Sequence, residues 1–297
     1  MTRCEMDAGC VNLQDRFPTL RGIMDVLRGN VTLTAGLVIF FTLFLITILA
    51  PVIAPHDPAE QDLGNRFASP TPEYPLGTDQ FGRCIFSRTV YGGQISLAIA
   101  VISTVACVLI GILVGMYAGY YPRLDAPLMR MTDIFLAFPA IVLALPIIAI
   151  VGPTPLGIIL AILLPGWAKF ARVIRSSTLS VKSSGFVEAS KAAGATDTHI
   201  LFRHILPNCY GPIIEIATLG LGSKIITITS LGFLGLGVQP PIPEWGTMIN
   251  QGLTMLEKAP MIALSAGSMI VLFVLATNLI GSELRKIIDP RSDTIVI

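Results

Sequence analysis

The sequence predicts an all-α integral membrane protein with six transmembrane helices and both termini on the cytoplasmic side. Three observations carry this expectation. Only 13% of the 297 residues are charged against 53% hydrophobic, whereas a soluble domain needs about 25% charged residues to cover a surface in water. Several uncharged runs reach the ~20 residues that cross ~30 Å of hydrocarbon as a helix. The positive charges are also shared unevenly among the segments that join those runs. Net charge is +1, which supplies no field for a polyanion and sets nucleic-acid binding aside.

Residues 1–30 form a mixed-charge cytoplasmic segment with Arg3, Arg16, Arg21 and Arg28. Residues 31–55 carry no ionisable side chain and give the first transmembrane helix. This run starts too late and is too long for a cleaved signal peptide. Residues 56–93 are rich in Pro, Asp, Gly and Arg, and read as an external loop or small subdomain built from turns.

Residues 94–282 form the transmembrane core. Its first run, Ile95–Tyr121, places Gly111, Gly115 and Gly119 on one helix face, where a second helix can come close. A polar break covers Pro122–Arg130. The uncharged stretch beyond it is too long for one crossing, and Gly152, Pro153, Thr154 and Pro155 divide it into helices over Met131–Val151 and Leu156–Val173. Residues 175–210 are polar. Spans over Gly211–Gly237 and Ala259–Gly281 complete the six, and residues 283–297 form a cytoplasmic tail.

With the N-terminus in the cytoplasm, fifteen of the 20 Lys and Arg fall on the cytoplasmic side, with Lys169 and Arg172 at the end of their span counted there. Four (Arg66, Arg83, Arg88 and Lys258) fall outside, and Lys224 lies within a span. That asymmetry sets the topology.

The polar stretch is the most informative. Glu188 to Ala193 favours helix, and Gly194 is a natural stop because glycine accepts the left-handed conformation at a C-cap. A second short helix from Thr196 to Ile205 should end before Pro207. The spacing predicts a compact helix–turn–helix.

Four motifs, in order, carry a resemblance. Leu76-Gly77-Thr78-Asp79 with Gly82-Arg83 opens the external loop's end. Glu188-Ala189-Ser190, Gly194 and Leu206-Pro207 mark the polar stretch. Gly235-Leu236-Gly237 with Gln239-Pro240 and Glu244-Trp245-Gly246 follows the fifth helix, and Asp289-Pro290-Arg291 closes the chain. Together they resemble the permease subunits of bacterial ABC importers, in particular the second (C-type) permease of the dipeptide/oligopeptide/nickel transport family. Departures are Ser190 for a second alanine, His204 for an isoleucine, and Cys84 where the family has Asp.

The resemblance implies a type I ABC importer permease fold in the bacterial inner membrane, and a translocation path for small peptides or related solutes. It implies a homologous second permease subunit, two ATPase subunits that bind ATP and Mg, and an external solute-binding protein. It also implies that residues 175–210 are the loop that couples to an ATPase. Independently, the chain has no G-x-x-x-x-G-K-[ST] phosphate loop, so the energy for uphill transport must come from a partner and this subunit is expected to be non-catalytic. The alternatives are an ion-coupled secondary carrier and an ABC permease for nickel or metal chelates.

Two ionisable residues inside a span need a role. Glu215 sits near the cytoplasmic end of its helix. Lys224, nine residues on, lies on the opposite face, and either lines the translocation path or pairs with a carboxylate of the partner permease. His56, His199 and His204 are divided by the membrane, so no metal site is expected. The five cysteines predict no disulfide within the chain, and Cys84 alone falls on the oxidising side.

Overall fold

The computed structural model describes residues 30–288, and its regular elements are all helices. The N-terminal segment before Asn30, Cys4, Cys10 and the Asp289-Pro290-Arg291 motif lie outside the described residues. Helix α1 (Val31–Ile48) starts at Asn30, whose side chain accepts from the Leu33 N–H. A short α2 (Ala50–Ile53) continues it, with Pro51 in the first turn, where its missing N–H costs nothing.

Helix α3 (Ile85–Tyr120) is 36 residues long, about 54 Å at 1.5 Å per residue. It begins at Ile85 rather than Ile95, so the last part of the expected external loop is helical. Hydropathy missed this because Arg88 lies in the first turns, and Arg88 is buried among polar partners. The glycine face packs on α6 (Pro155–Lys182). A Cβ at Gly111 would lie 2.4 Å from Phe170 Cβ, one at Gly115 2.5 Å from the Ala171 carbonyl oxygen, and one at Gly119 2.7 Å from Thr178 Cβ. Side chains there would force the two backbones apart. Val101, Val105, Leu109 and Leu113 are exposed at the same four-residue spacing. They stand two residues out of step with the glycines, hence on the opposite face.

The expected single helix over Met131–Val151 is corrected by the structure. Helix α4 starts earlier (Pro122–Ala137), and α5 (Ala140–Val151) leaves it at 86°. Pro139 is the cause, because a residue before proline is driven out of the helical region, and Phe138 is extended at φ −105°, ψ 144°. The apolar composition runs through the break and hides it. Helix α6 outlasts its expected end at Val173 by continuing through Arg175 to Lys182, where packing of Ile174 and Thr178 against the bundle, and not local helix preference, carries it on.

Beyond α6 come α7 (Gly185–Ala192) and the one-turn α8 (Asp197–His199). A π-helical turn (Ile200–Ile205) joins α8 to α9 (Leu206–Phe233). The short helix expected to end before Pro207 therefore does not end. The Leu206 N–H reaches back five residues to the Leu201 carbonyl, and Pro207 then falls in the first turn of α9, where a proline is tolerated. Helices α10 (Trp245–Leu253) and α11 (Met261–Ile288) complete the fold.

Five helices are long and apolar enough to cross a membrane, and the bent α4–α5 pair makes a sixth if it is one span. Two buried clusters hold the bundle. One joins Leu43, Ala100, Ile225, Trp245 and Phe273. The other joins Met116, Trp167, Ala171, Ile200 and Ile205, and so roots the segment before α9 in the bundle.

Candidate functional site

The segment from α7 to α9 stands out from the bundle on a firm base. Val187, Ile200, Leu201 and Ile205 are buried, while Glu188, Ala189 and Lys191 to Gly194 are exposed. Gly194 takes φ +83°, the left-handed conformation expected at the C-cap. The Ala195 N–H reaches back to the Ser190 carbonyl at 3.1 Å and the Gly194 N–H to the Lys191 carbonyl at 3.0 Å, which satisfies carbonyls that the helix end leaves open. Glu188 lies in the first turn of α7, where its charge suits the helix dipole.

One polar contact fixes this element to its neighbours, a second braces the helix end that makes it, and a third holds the element together. The Tyr120 hydroxyl at the end of α3 donates to Asp197 Oδ1 at 2.7 Å, and Lys182 Nζ at the end of α6 donates to the Tyr120 carbonyl at 2.7 Å. Ser190 Oγ lies 3.3 Å from His204 Nε2 and so ties α7 to the π turn. The arrangement is an exposed, rigid knob continuous with a membrane helix.

Deeper in the bundle, Lys224 on α9 is 9% exposed. With Lys169 of α6 it lines a cavity of about 230 Å³ between the two helices, among Phe170, Ile216, Ser223 and Thr227. Its ammonium and the Cys107 thiol of α3 both lie against Gly166 of α6. Glu215 is turned elsewhere, 3.7 Å from Arg285 of α11.

The motif residues at the other end of the bundle are buried structure. Asp79 is 0% exposed, and Arg83 and Arg88 are each 2% exposed. Asp79 Oδ2 accepts from Arg83 Nε at 2.7 Å and from Arg88 Nη1, while its Oδ1 accepts from the backbone N–H groups of Phe81 and Arg83. Arg88 Nη2 reaches Gln251 Oε1 of α10 at 2.8 Å. Thr78 Oγ1 bridges the Asn65 carbonyl and the Ala68 N–H. Gly77 and Gly82 have φ +77° and +74°, and a Cβ on Gly82 would meet the Asp62 carbonyl oxygen at 1.7 Å. Arg83 and Arg88, counted above as external charges, are thus sequestered.

Glu244 caps α10, accepting from the Gly246 and Thr247 N–H groups at 2.7 and 2.9 Å and from Ser96 Oγ of α3 at 3.2 Å. Burial pushes its carboxyl up from the ordinary range, against the lowering effect of these donors. Trp245 Nε1 donates to the Thr89 carbonyl at 2.8 Å. Gly246 lets α10 approach α9, since a Cβ there would lie 2.7 Å from Thr229 Cα. Gly235 takes φ +80° just past the end of α9, and Gly237 packs on Gly232. Pro240 lies in the loop leading to Glu244.

The family model described as "Binding-protein-dependent transport system inner membrane component" matches residues 108–294. The chain belongs to this family. It is a permease subunit of an ABC importer, an integral protein of the bacterial inner membrane. A second model, "N-terminal TM domain of oligopeptide transport permease C", matches residues 20–70. The dipeptide transport system permease protein DppC of Alkalihalophilus pseudofirmus is 41% identical over 89% of this chain and 88% of that protein. The di/tripeptide transport system permease protein DppC of Pseudomonas aeruginosa is 39% identical over 86% and 87%. The glutathione transport system permease protein GsiD of Pectobacterium atrosepticum is 40% identical over 89% and 88%. Among solved structures, a chain of the MetNI methionine ABC transporter in inward-facing conformations superposes with a TM-score of 0.57 at 21% identity, over 68% of this chain and 96% of that one. This last likeness shows the fold.

The permease thus separates its sequence motifs into two kinds of place. Glu188, Ala189, Ser190 and Gly194 are at the surface of the knob, with Leu206 and Pro207 at its root. The Gly77–Arg83 and Gly235–Gly246 motifs are brought together around α10, through the Arg88–Gln251 and Trp245–Thr89 bonds. Sequence reasoning missed Tyr120, Lys182, Cys107 and Lys169, whose neighbours lie on other helices. Arg88 was marked in the sequence as an external charge in a polar loop, and its burial was not.

Proposed function

We propose that this permease, with a homologous second permease subunit, forms the translocation path of an ATP-driven importer for small peptides or related solutes. Two ATPase subunits, which bind ATP and Mg, dock on the cytoplasmic side, and an external solute-binding protein delivers the solute. The observation that carries the reading is the exposed knob at 185–199, continuous through the π turn with the span α9. A protein that only held a pore open would not need a rigid polar lever on one helix. Both termini lie in the cytoplasm, as the charge asymmetry requires. Peptides are chosen because the peptide and glutathione permeases above are similar over nearly the whole chain.

Co-expressed with the second permease, the ATPase subunits and the binding protein, the chain should support uptake of a labelled dipeptide that stops when the ATPase subunits are omitted. Uptake that survives their omission and follows an ion gradient would refute the reading.

The sidedness has its own test. Cys84 is a poor reporter, because it is 1% exposed. Glu60 and Ala192 are both exposed. A cysteine at Glu60 should react with a membrane-impermeant maleimide in intact spheroplasts, and one at Ala192 only after permeabilisation. The reverse pattern would invert the topology.

A further inference from the structure

The intramembrane cavity holds two cations and no counter-ion of its own. Lys224 is nine-tenths buried on α9, Lys169 faces the same space from α6, and among the described residues neither forms an ion pair. An ionisable group at such depth is costly, and it is kept where it faces a partner or a transported species. The fold makes room for the ammonium, because a Cβ on Gly166 would lie 2.3 Å from Lys224 Nζ and 2.7 Å from Cys107 Sγ. The bare backbone of α6 therefore seats the cation at the cavity wall. Around it lie the hydroxyls of Ser223 and Thr227 and the apolar surfaces of Phe170, Ile162 and Ile216. A site with two positive groups beside apolar walls fits a small organic anion with an apolar body.

We infer that Lys224, assisted by Lys169, binds the carboxylate of the solute as it crosses the membrane. The inference rests on the peptide reading above, for which the carboxylate is that of the peptide C-terminus. Lys224 is nine residues from the outer end of α9, about 13 Å at 1.5 Å per residue. That depth is near the middle of a ~30 Å hydrocarbon layer and is out of reach of a phospholipid headgroup.

The experiment compares uptake of a free dipeptide and of its C-terminal amide by the complete transporter, in wild type and in Lys224→Met. The binding protein is the same in both, so its own preference cancels in the variant-to-wild-type ratio for each peptide. The expected result is a fall of roughly tenfold for the free acid and less than about twofold for the amide, as loss of one charged hydrogen bond implies. Equal falls for the two peptides, or none, would overturn the inference. So would loss of the second permease on purification of Lys224→Met, if Lys169→Gln then leaves the acid-to-amide ratio at its wild-type value.

A second readout needs no peptide. Ser223→Cys should react faster with an anionic than with a cationic methanethiosulfonate, and adding Lys224→Met should remove that preference. If the wild type carries neither peptide, the peptide reading fails, and this ratio alone decides whether the cavity selects anions. An unchanged ratio would overturn the inference.

Discussion

Gly194→Val is expected to reduce uptake by the assembled transporter by roughly tenfold or more while the chain still inserts and its spans remain folded. The glycine ends α7 with φ +83°, a conformation that costs an ordinary residue on the order of 1–2 kcal/mol and a β-branched one more. Nothing lies within 4 Å of a Cβ built there, so the damage arises from the backbone and not from crowding inside the chain. To escape the strain, the turn at 193–196 must open. That breaks the Ala195–Ser190 and Gly194–Lys191 bonds and swings Glu188 and Lys191 away from their places on the exposed face. Gly194→Asn supplies the contrast, because asparagine tolerates the left-handed region, and it should keep most of the uptake. The measurements are uptake, chain abundance in the membrane, and co-purification of the ATPase subunits. Wild-type uptake by the valine variant at normal abundance would reduce the segment to an ordinary connector.

Asp79→Ala is expected to have the larger effect on the permease itself. It would leave the guanidinium groups of Arg83 and Arg88 buried without the carboxylate that both contact. Removing one partner of a buried pair costs roughly 3–5 kcal/mol, a large share of the ~5–15 kcal/mol that holds a typical domain. Arg88 also bonds Gln251, so its displacement loosens α10 as well as the outer loop. The expected outcome is sharply reduced chain in the membrane and a lower melting midpoint of the solubilised transporter. Asp79→Asn, which keeps an acceptor and the shape, should lie between. An Asp79→Ala permease that accumulates and melts like wild type would show that water reaches this cluster.

These two sites differ in how openly the sequence displayed them. Gly194 was legible because its signal is local: a helix-favouring run, a glycine, then a second helix start within a few residues. The glycines of α3 were legible for the same reason, since a fixed spacing puts them on one face whatever lies opposite. The break at Phe138 was not legible, because an apolar run gives hydropathy no reason to stop while Pro139 bends the backbone. Pro207 misled in the other direction. A proline ends a helix only when its N–H is needed, and the π turn before it shifts the bonding so that it is not. The burial of Arg83 and Arg88 was hidden because composition assigned them to a polar loop, and charge counting treats a paired arginine and a solvated one alike. Lys224 announced itself as a charge in a span, but its neighbours Cys107, Gly166 and Lys169 come from α3 and α6, and only folding brings them together.

The continuity of α8, the π turn and α9 also bears on timing. From His199 to Lys224 there are about 37 Å of helix at 1.5 Å per residue, with no loop between the exposed knob and the cavity wall. An unbroken helix resists compression, because shortening it means compressing every backbone hydrogen bond in series. A push at one end is therefore passed along the helix toward the other. The π turn is a place where the rod can slip, since a helix carrying an extra residue per turn can change its register by passing that residue along, and Pro212, inside α9, removes one further hydrogen bond. The event at the cytoplasmic knob and the event at the lysines are then two readings of one stroke.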